Sequence, residues 1–165
     1  MSMQKAPVPI NEKERICAVE GLKLLDTAFE ERFDRITRKA VERFSVPIST
    51  ITLIDKNREW FKSFQGLKKR EGPRDVSFCG HALMSEIILI VNDTLADKRF
   101  ADNPMVKGDP FIRFYAGKSL YEKNSHLPVG VFCIKDIKPR DFSIKDIDDF
   151  LILAQEAEDE VNKKL

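Results

Sequence analysis

One stretch, residues 66–117, constrains this chain more than any other part of it. It contains three densely specified strings: PRDVSFCGHAL from Pro73, DKRFADNPMV from Asp97 and IRFYAG from Ile112. Ser77 is a plausible N-cap for a short helix over residues 78–84, and an apolar strand is predicted over residues 87–91. The loop that follows, residues 92–110, is long, and such loops in a compact domain are more often functional than idle. Functional residues are therefore expected in this stretch.

Capping signals at Asn11, Thr27 and Ser143 predict the starts of three helices. The first helix should run to about Leu25. The second carries one apolar stripe made of Phe29, Phe33, Ile36, Ala40 and Phe44. The third repeats apolar residues at Ile147, Leu151, Ala154, Val161 and Leu165. Both ends of the chain are thus predicted to be helical, with one face of each helix packed on a core.

Between the helices, five apolar segments predict strands. They are PISTITLID, REWFKSF, IILIV, FIRFYAGKSLY and VGVFCIKD. The first two are joined by turn residues 55–57 and form a predicted hairpin. The first is β-branched on both faces, as expected of a strand buried on both sides. The order predicts an α+β domain with an antiparallel sheet, terminal helices on one face, and loops and short helices covering the other.

Composition excludes several classes of protein. Lys plus Arg is 28 and Asp plus Glu is 27, and the formal net charge of +1 argues against nucleic acid or an anionic membrane as the main partner. No apolar run is long enough to span a bilayer and the start lacks a hydrophobic signal core, so the chain is expected to be cytoplasmic. We expect a flexible arm over residues 1–10, one domain over residues 11–165, and three free thiols.

Cys79 is the candidate for thiol chemistry. In the first turn of a helix capped by Ser77, free backbone N–H groups and the helix dipole would favour a thiolate. The alternative is a small buried residue, because free cysteines are often buried. His81 is two residues away and shares no helix face with Cys79, which argues against a Cys–His pair. With only two histidines in the chain, and with loop aspartates that lack calcium-loop spacing, no metal site is predicted.

Taken in order, these strings resemble the GAF family, the small-molecule-sensing domains of bacterial signalling proteins. The resemblance covers roughly residues 10 to 160 and includes lead-in helices like those of GAF domains that precede cyclases and histidine kinases. It implies a central antiparallel sheet of five to six strands, with a ligand pocket between the sheet and the short helix. The candidate ligand-binding residues are Phe78, Cys79, His81, Asp97, Phe100, Phe114, Tyr115 and Cys133. The aromatic members of this set could equally form a phenylalanine-rich core.

Three functions remain open at this point. The first is a sensory or regulatory module without its own output domain, which binds an unidentified small molecule and uses no cofactor that the sequence identifies. The second is an enzyme resembling free methionine-R-sulfoxide reductase with Cys79 as its catalytic residue. Such enzymes need a further cysteine in the region that follows, and none lies between Ala82 and Phe132, so efficient sulfoxide reduction is not expected. The third is a dimerisation module without a ligand.

Assembly is expected because a sensor without an output domain must pass its signal by contact. The first and last helices offer apolar residues beyond those needed for the core, which predicts a symmetric homodimer through these helices. A separate signalling protein is the other expected partner.

Overall fold

The computed structural model describes residues 3–164, whose strands form one six-stranded antiparallel sheet. The helices are α1 (Glu12–Gly21), α2 (Glu31–Phe44), α3 (Phe78–Ala82), α4 (Pro104–Lys107) and α5 (Ile144–Val161). The strands are β1 (Ile48–Ile54), β2 (Arg58–Gln65), β3 (Glu71–Pro73), β4 (Leu89–Val91), β5 (Phe114–Tyr121) and β6 (Pro128–Asp136). Two 3-10 turns lie at Arg74–Val76 and Thr94–Ala96. The α+β class and the antiparallel sheet are confirmed.

The strand order is β3-β2-β1-β6-β5-β4, so β1 and β6 lie at the centre. Every residue of β1 is buried, in line with its β-branched sequence, and every residue of β6 is buried except the first, which is half-buried. The register pairs Cys133 of β6 with Thr50 on one side and Gly117 on the other. Directly opposed residues share a face of the sheet, so these three positions face the same way.

One face of the sheet is covered by α2 and α5. The buried apolar residues of α2 are Phe33, Ile36, Ala40 and Phe44, as the stripe predicted, and Thr37 is buried beside them. Buried apolar residues of α5 are Phe150, Leu153, Ala154, Ala157 and Val161. Ser143 and Asp146 form the predicted capping box of α5. The packed face of α5 is therefore rotated from the predicted one, because Ile147 and Leu151 are only half-buried; Leu165 lies outside the described residues.

Local hydrogen bonds shift two helix boundaries from their predicted positions. The Thr27 hydroxyl donates to the Leu24 carbonyl at 2.5 Å instead of capping a helix, and α2 begins only at Glu31. Helix α1 ends at Gly21, and Lys23 follows with a φ of 56° in the left-handed region. Phe29 consequently precedes α2 and is 51% exposed instead of joining the stripe.

The long loop also differs in detail from the prediction. Phe111 has a φ of 61°, which no strand can accommodate, so β5 begins at Phe114 rather than at Phe111. The short helix α4 lies in this loop and is capped by the Asn103 side chain, which accepts from Met105 N at 2.9 Å. Strand β3 lies within the predicted loop of residues 66–73, where it pairs with the start of β2.

The described part of the N-terminal arm is not a loose tail. Gln4 N donates to Arg99 O at 3.2 Å and Ala6 N donates to Asp75 O at 3.0 Å. A Cβ on Gly80 would approach the Ala6 side chain to 2.6 Å, so the arm packs directly against α3. The expectation of a flexible arm is corrected for residues 3–10, which we call the strap.

Candidate functional site

The candidate site lies on the sheet face opposite α2 and α5, beneath α3. The Ser77 hydroxyl accepts from Gly80 N at 2.9 Å, which confirms the predicted cap and starts α3 at Phe78. All five residues of α3 are buried. Phe78 and Cys79 pack in one cluster with Phe100, Tyr115 and Cys133.

Stacked rings fill the space between α3 and β5. The Phe78 ring lies 4.4 Å from the Phe100 ring and 5.2 Å from the Tyr115 ring, centroid to centroid, and both pairs are stacked. His81 meets the edge of Phe100 at 4.8 Å, and its Nε2 lies 3.0 Å from the Gln4 carbonyl of the strap. Burial lowers the pKa of His81. These rings contact one another, so a ligand must displace side chains to lie between them.

Two predicted residues lie away from this cluster. Phe114 lies on the helix-covered face, where its ring packs on Phe142 at 5.5 Å. Successive strand residues point to opposite faces, so Phe114 and its neighbour Tyr115 cannot line the same pocket. Asp97 lies at the rim, where it accepts from Arg99 at 2.7 Å, a hydrogen bond that lowers the pKa of Asp97. The placement of Phe114 in the pocket is thus corrected.

The Cys79 and Cys133 thiols converge on a pair of threonine hydroxyls. Thr50 Oγ1 lies 3.0 Å from Cys133 Sγ and 2.7 Å from Thr52 Oγ1, and Cys79 Sγ lies 3.9 Å from Thr52 Oγ1. The Tyr115 hydroxyl donates to Cys79 Sγ at 3.3 Å. Cys79 and Cys133 were both expected at one pocket, and the sheet register brings Cys133 beneath Cys79.

Gly117 explains how Tyr115 reaches this cluster. A Cβ at position 117 would collide with the Tyr115 hydroxyl and ring, so the tyrosine side chain packs directly against the glycine. Gly117 is also the register partner of Cys133. The absence of a side chain at this position lets the tyrosine hydroxyl extend along the sheet to the thiols.

Two buried charged residues, Glu59 and Lys135, complete the site and were missed at the sequence level. Each is 2% exposed. Glu59 Oε1 is buried without a hydrogen-bond partner. Within residues 3–164, no hydrogen bond or ion pair joins the Lys135 ammonium to another group. Burying an ionisable group without a partner is costly, so both positions are unfavourable for folding alone.

The charges and thiols of the site shift one another's pKa values. Burial raises the pKa of Glu59 to about 8, although Lys135 opposes that shift. Burial and the neighbouring Cys133 raise the pKa of Cys79, and burial raises that of Tyr115. Burial works against ionisation of Cys133, but Cys79 and Lys135 outweigh it and lower the pKa of Cys133 to about 7. A thiolate is therefore favoured at Cys133, not at the helix-borne Cys79.

Other features of the described residues lie outside this site. A cleft of about 710 Å³ lies on the helix side between α1, the end of α5 and the β5–β6 turn. Of the two acidic residues that line it, Glu30 is paired with Arg32 at 2.9 Å. Among residues 3–164, no group of three or more His, Cys, Asp and Glu side chains is arranged to hold a metal. No helix in that range is long and apolar enough to cross a membrane.

Comparison with known sequences gives one family match. Residues 28–161 match the sequence profile described as GAF domain. The chain is 39% identical over 138 residues, 84% of its length, to a cyclic di-GMP phosphodiesterase of Pseudomonas aeruginosa. It spans only 23% of that relative's length.

Solved structures share the fold at low sequence identity. The GAF domain of Acinetobacter phosphoenolpyruvate-protein phosphotransferase has a TM-score of 0.61 at 15% identity, covering 90% of this chain and 92% of that one. Free methionine-R-sulfoxide reductase from Neisseria meningitidis, solved with its substrate, has a TM-score of 0.62 at 19% identity, covering 97% and 98%. At these identities the likeness concerns the fold alone.

Proposed function

The chain belongs to the GAF domain family, and we propose that it is a small-molecule-binding regulatory module. Its ligand binds on the sheet face beneath α3, next to Tyr115 and the two buried thiols. Domains of this family commonly serve as sensors in signalling proteins. A cytoplasmic location is part of the same proposal.

The observation that carries this proposal is the pair of unpartnered buried charges. Glu59 and Lys135 face the same interior as Cys79 and Cys133, and each affects the electrostatics of that interior. Groups like these persist when something other than folding requires them. A ligand that satisfies both would recover the cost of burying them, which is a strong basis for affinity.

The two charges also indicate the class of ligand. The raised pKa of Glu59 keeps it protonated at pH 7, so its carboxyl can both donate and accept a hydrogen bond, and Lys135 needs an acceptor or an anion. The ligand is therefore a small polar molecule that carries an acceptor or anionic group for Lys135 and a further polar group for Glu59. The aromatic rings of Phe78 and Tyr115 provide an apolar wall on the remaining side, as small-molecule sites usually do.

Access to the site requires movement of the strap and α3. The strap is held by the backbone hydrogen bonds of Gln4 and Ala6 and by contact with Gly80. A segment that is held by only a few contacts of this kind opens more readily than a packed core does. Ligand binding would thus change the position of α3 and the strap, which offers a route for passing on the signal.

The output is proposed to be an enzyme domain. The Pseudomonas relative is named for cyclic di-GMP hydrolysis, and the matched segment is a minor part of it. We propose that this module regulates an enzyme of that signalling class through contact, in the same protein or in a partner. The relative's activity is not assigned to the GAF segment itself.

A homodimer through α1 and α5 is part of this proposal. Ile144 is 80% exposed and Ile152 is 60% exposed, and they lie eight residues apart on one side of α5. Two-fold pairing would bury both. Sedimentation at tens of micromolar should show a dimer that Ile152→Glu dissociates without unfolding, whereas a monomeric wild type would contradict this part.

Ligand binding is tested by thermal unfolding with a panel of amino acids, nucleotides and small carboxylates. We expect at least one polar compound to raise the melting temperature of the wild type and to leave Glu59→Gln/Lys135→Met unaffected. The matched control is Glu31→Gln/Lys145→Met, which makes the same changes on exposed side chains and should respond like the wild type. Equal shifts in all three proteins, or none in the wild type, would contradict the proposal.

A further inference from the structure

The two buried thiols carry an inference beyond ligand binding. We propose that Cys133 and Cys79 form an oxidisable dithiol, which reacts with a small hydroperoxide such as hydrogen peroxide and closes to a disulfide. This reaction would add a redox input to a site whose ligand input was proposed above. It depends on neither the identity nor the presence of that ligand.

Geometry brings the two sulfur atoms to one point of the interior. Both thiols contact the hydrogen-bonded pair of Thr50 and Thr52. Both belong to the same buried cluster beneath α3, and each thiol shifts the pKa of the other. The third cysteine, Cys17, is exposed on α1 and is not part of this cluster.

The surroundings divide the roles between the two thiols. Lys135 on β6 stabilises a thiolate at Cys133, and Thr50 is placed to donate to it at 3.0 Å. Cys79 on α3 is kept as a neutral thiol by burial. Glu59 on β2 disfavours the Cys133 thiolate, and Tyr115 on β5 has its hydroxyl on the other thiol. Cys133 is accordingly the attacking group and Cys79 is the resolving thiol.

The reaction balances with the groups present and one peroxide. The Cys133 thiolate attacks one peroxide oxygen, the O–O bond breaks, and the leaving hydroxide takes a proton from the protonated Glu59 carboxyl to become water. The Cys79 sulfur then attacks the Cys133 sulfenic acid, the S–O bond breaks, and the Cys79 proton leaves with the hydroxyl as a second water. Two thiols are oxidised, one peroxide is reduced to two waters, and the negative charge ends on Glu59, opposite Lys135.

Burial restricts the oxidant to a small molecule. Neither thiol is exposed to solvent, so a substrate must enter when the strap or α3 moves. A hydroperoxide comparable in size to water can enter through a small opening that would exclude larger electrophiles. The site should therefore distinguish hydrogen peroxide from a bulky alkylating reagent.

The test is a titration of the reduced full chain with hydrogen peroxide at pH 7. Samples are quenched in acid, unfolded, alkylated and analysed by peptide mass spectrometry. We expect a Cys79–Cys133 disulfide to form while Cys17 remains alkylatable, and we expect Cys17→Ser to behave like the wild type. In Cys79→Ser, dimedone should trap a sulfenic acid at Cys133, and in Cys133→Ser neither disulfide nor adduct should form at Cys79.

Two further measurements test the role of the charges. The rate of disulfide formation in the wild type should follow an apparent pKa near 7. Lys135→Met should slow the reaction at pH 7 by about fivefold or more, because a rise of one pKa unit from about 7 lowers the thiolate fraction from about one-half to about one-tenth. Glu59→Gln should also slow it, by about a hundredfold, because it lacks the proton donor. Oxidation of exposed Cys17 before the buried pair, or a disulfide that forms only after unfolding, would overturn the proposal.

Discussion

Both faces of the sheet are buried, but they differ in whether their buried ionisable side chains are paired. On the helix-covered face, Lys62 contacts the Glu30 carboxylate at 2.7 Å, and Glu160 is paired with Arg32 and Arg35 at 3.2 and 2.8 Å. On the face beneath α3, Glu59 and Lys135 are buried just as deeply, but among residues 3–164 neither forms an ion pair, and Glu59 Oε1 has no hydrogen-bond partner. Paired charges, as on the helix-covered face, are compatible with a stable core, whereas unpaired charges, as beneath α3, are expected of a binding site.

The contrast predicts the largest effect for a buried lysine on the helix-covered face. Lys62 donates to Thr27 Oγ1 and the Ala28 carbonyl as well as contacting Glu30. Lys62→Met should lower the free energy of unfolding by about 1 to 3 kcal/mol, because it removes a buried ammonium that donates to three partly exposed acceptors. Urea unfolding monitored by Trp60 fluorescence measures this. A loss below about 1 kcal/mol would mean that pairing on this face contributes little.

The second prediction concerns pH and Glu59. Its pKa is raised to about 8 in the folded chain, so between about pH 5 and 8 the folded state keeps a proton that the unfolded state has released. The free energy of unfolding should therefore fall as pH rises through this window, by at most about 1.4 kcal/mol per pH unit. Glu59→Gln should remove this part of the pH dependence of the free energy of unfolding.

The comparison is cleanest between pH 5 and 7. Above that range, the folded protein gains stability as pH rises because the pKa of Cys133 is lowered. Below it, the folded protein loses stability as carboxylates such as Glu30 are protonated. Hydrogen bonds to Arg32 and Lys62 hold the pKa of Glu30 at about 2. Parallel pH profiles for the wild type and Glu59→Gln would contradict a protonated Glu59.

The third prediction is the counterpart of the first on the other face. Lys135→Met makes the same chemical change as Lys62→Met but removes an ammonium without a partner. At pH 6, where Cys133 and Glu59 are protonated, we expect the free energy of unfolding to rise by about 1 kcal/mol or to stay unchanged, since an unpaired buried charge is replaced by an apolar group of similar length. A loss as large as that of Lys62→Met would erase the distinction between the two faces.

The smallest effect is expected at the strap. Ala6→Asp should push the strap away from Gly80 while lowering the global free energy of unfolding by less than about 1 kcal/mol. Amide hydrogen exchange in α3 should accelerate, with exchange in α2 unchanged. The surface change Lys5→Asp serves as the matched control and should leave α3 protected. Faster exchange throughout the chain would mean that the strap supports the whole fold and does not cover one site.

Much of the fold was predictable because its determinants are local. The β-branched run of β1, the cap at Ser77 and the capping box at Ser143 each act within a few residues. The strap and the start of β5 were not predictable, because they depend on contacts between distant segments and on the left-handed backbone at Phe111.

The site was only partly predictable for a related reason. Cys79, Phe100 and Tyr115 stand in recognisable strings, but Cys133 reaches Cys79 only through the register of three strands. Glu59 and Lys135 follow or precede turns, where charged residues normally face solvent. One usable signal was the position of Lys135 at the end of a strand that is otherwise apolar on both faces.

Native mass spectrometry tests the central claim most directly, which is that the face beneath α3 is reserved for a small polar ligand. The wild type and Glu59→Gln/Lys135→Met would be incubated with a small-molecule extract of bacterial cells, desalted and compared under native and denaturing conditions. We expect a bound mass on the wild type that is lost on denaturation and absent from the double variant. Equal masses for the two proteins under native conditions, apart from the substitutions themselves, would contradict the claim.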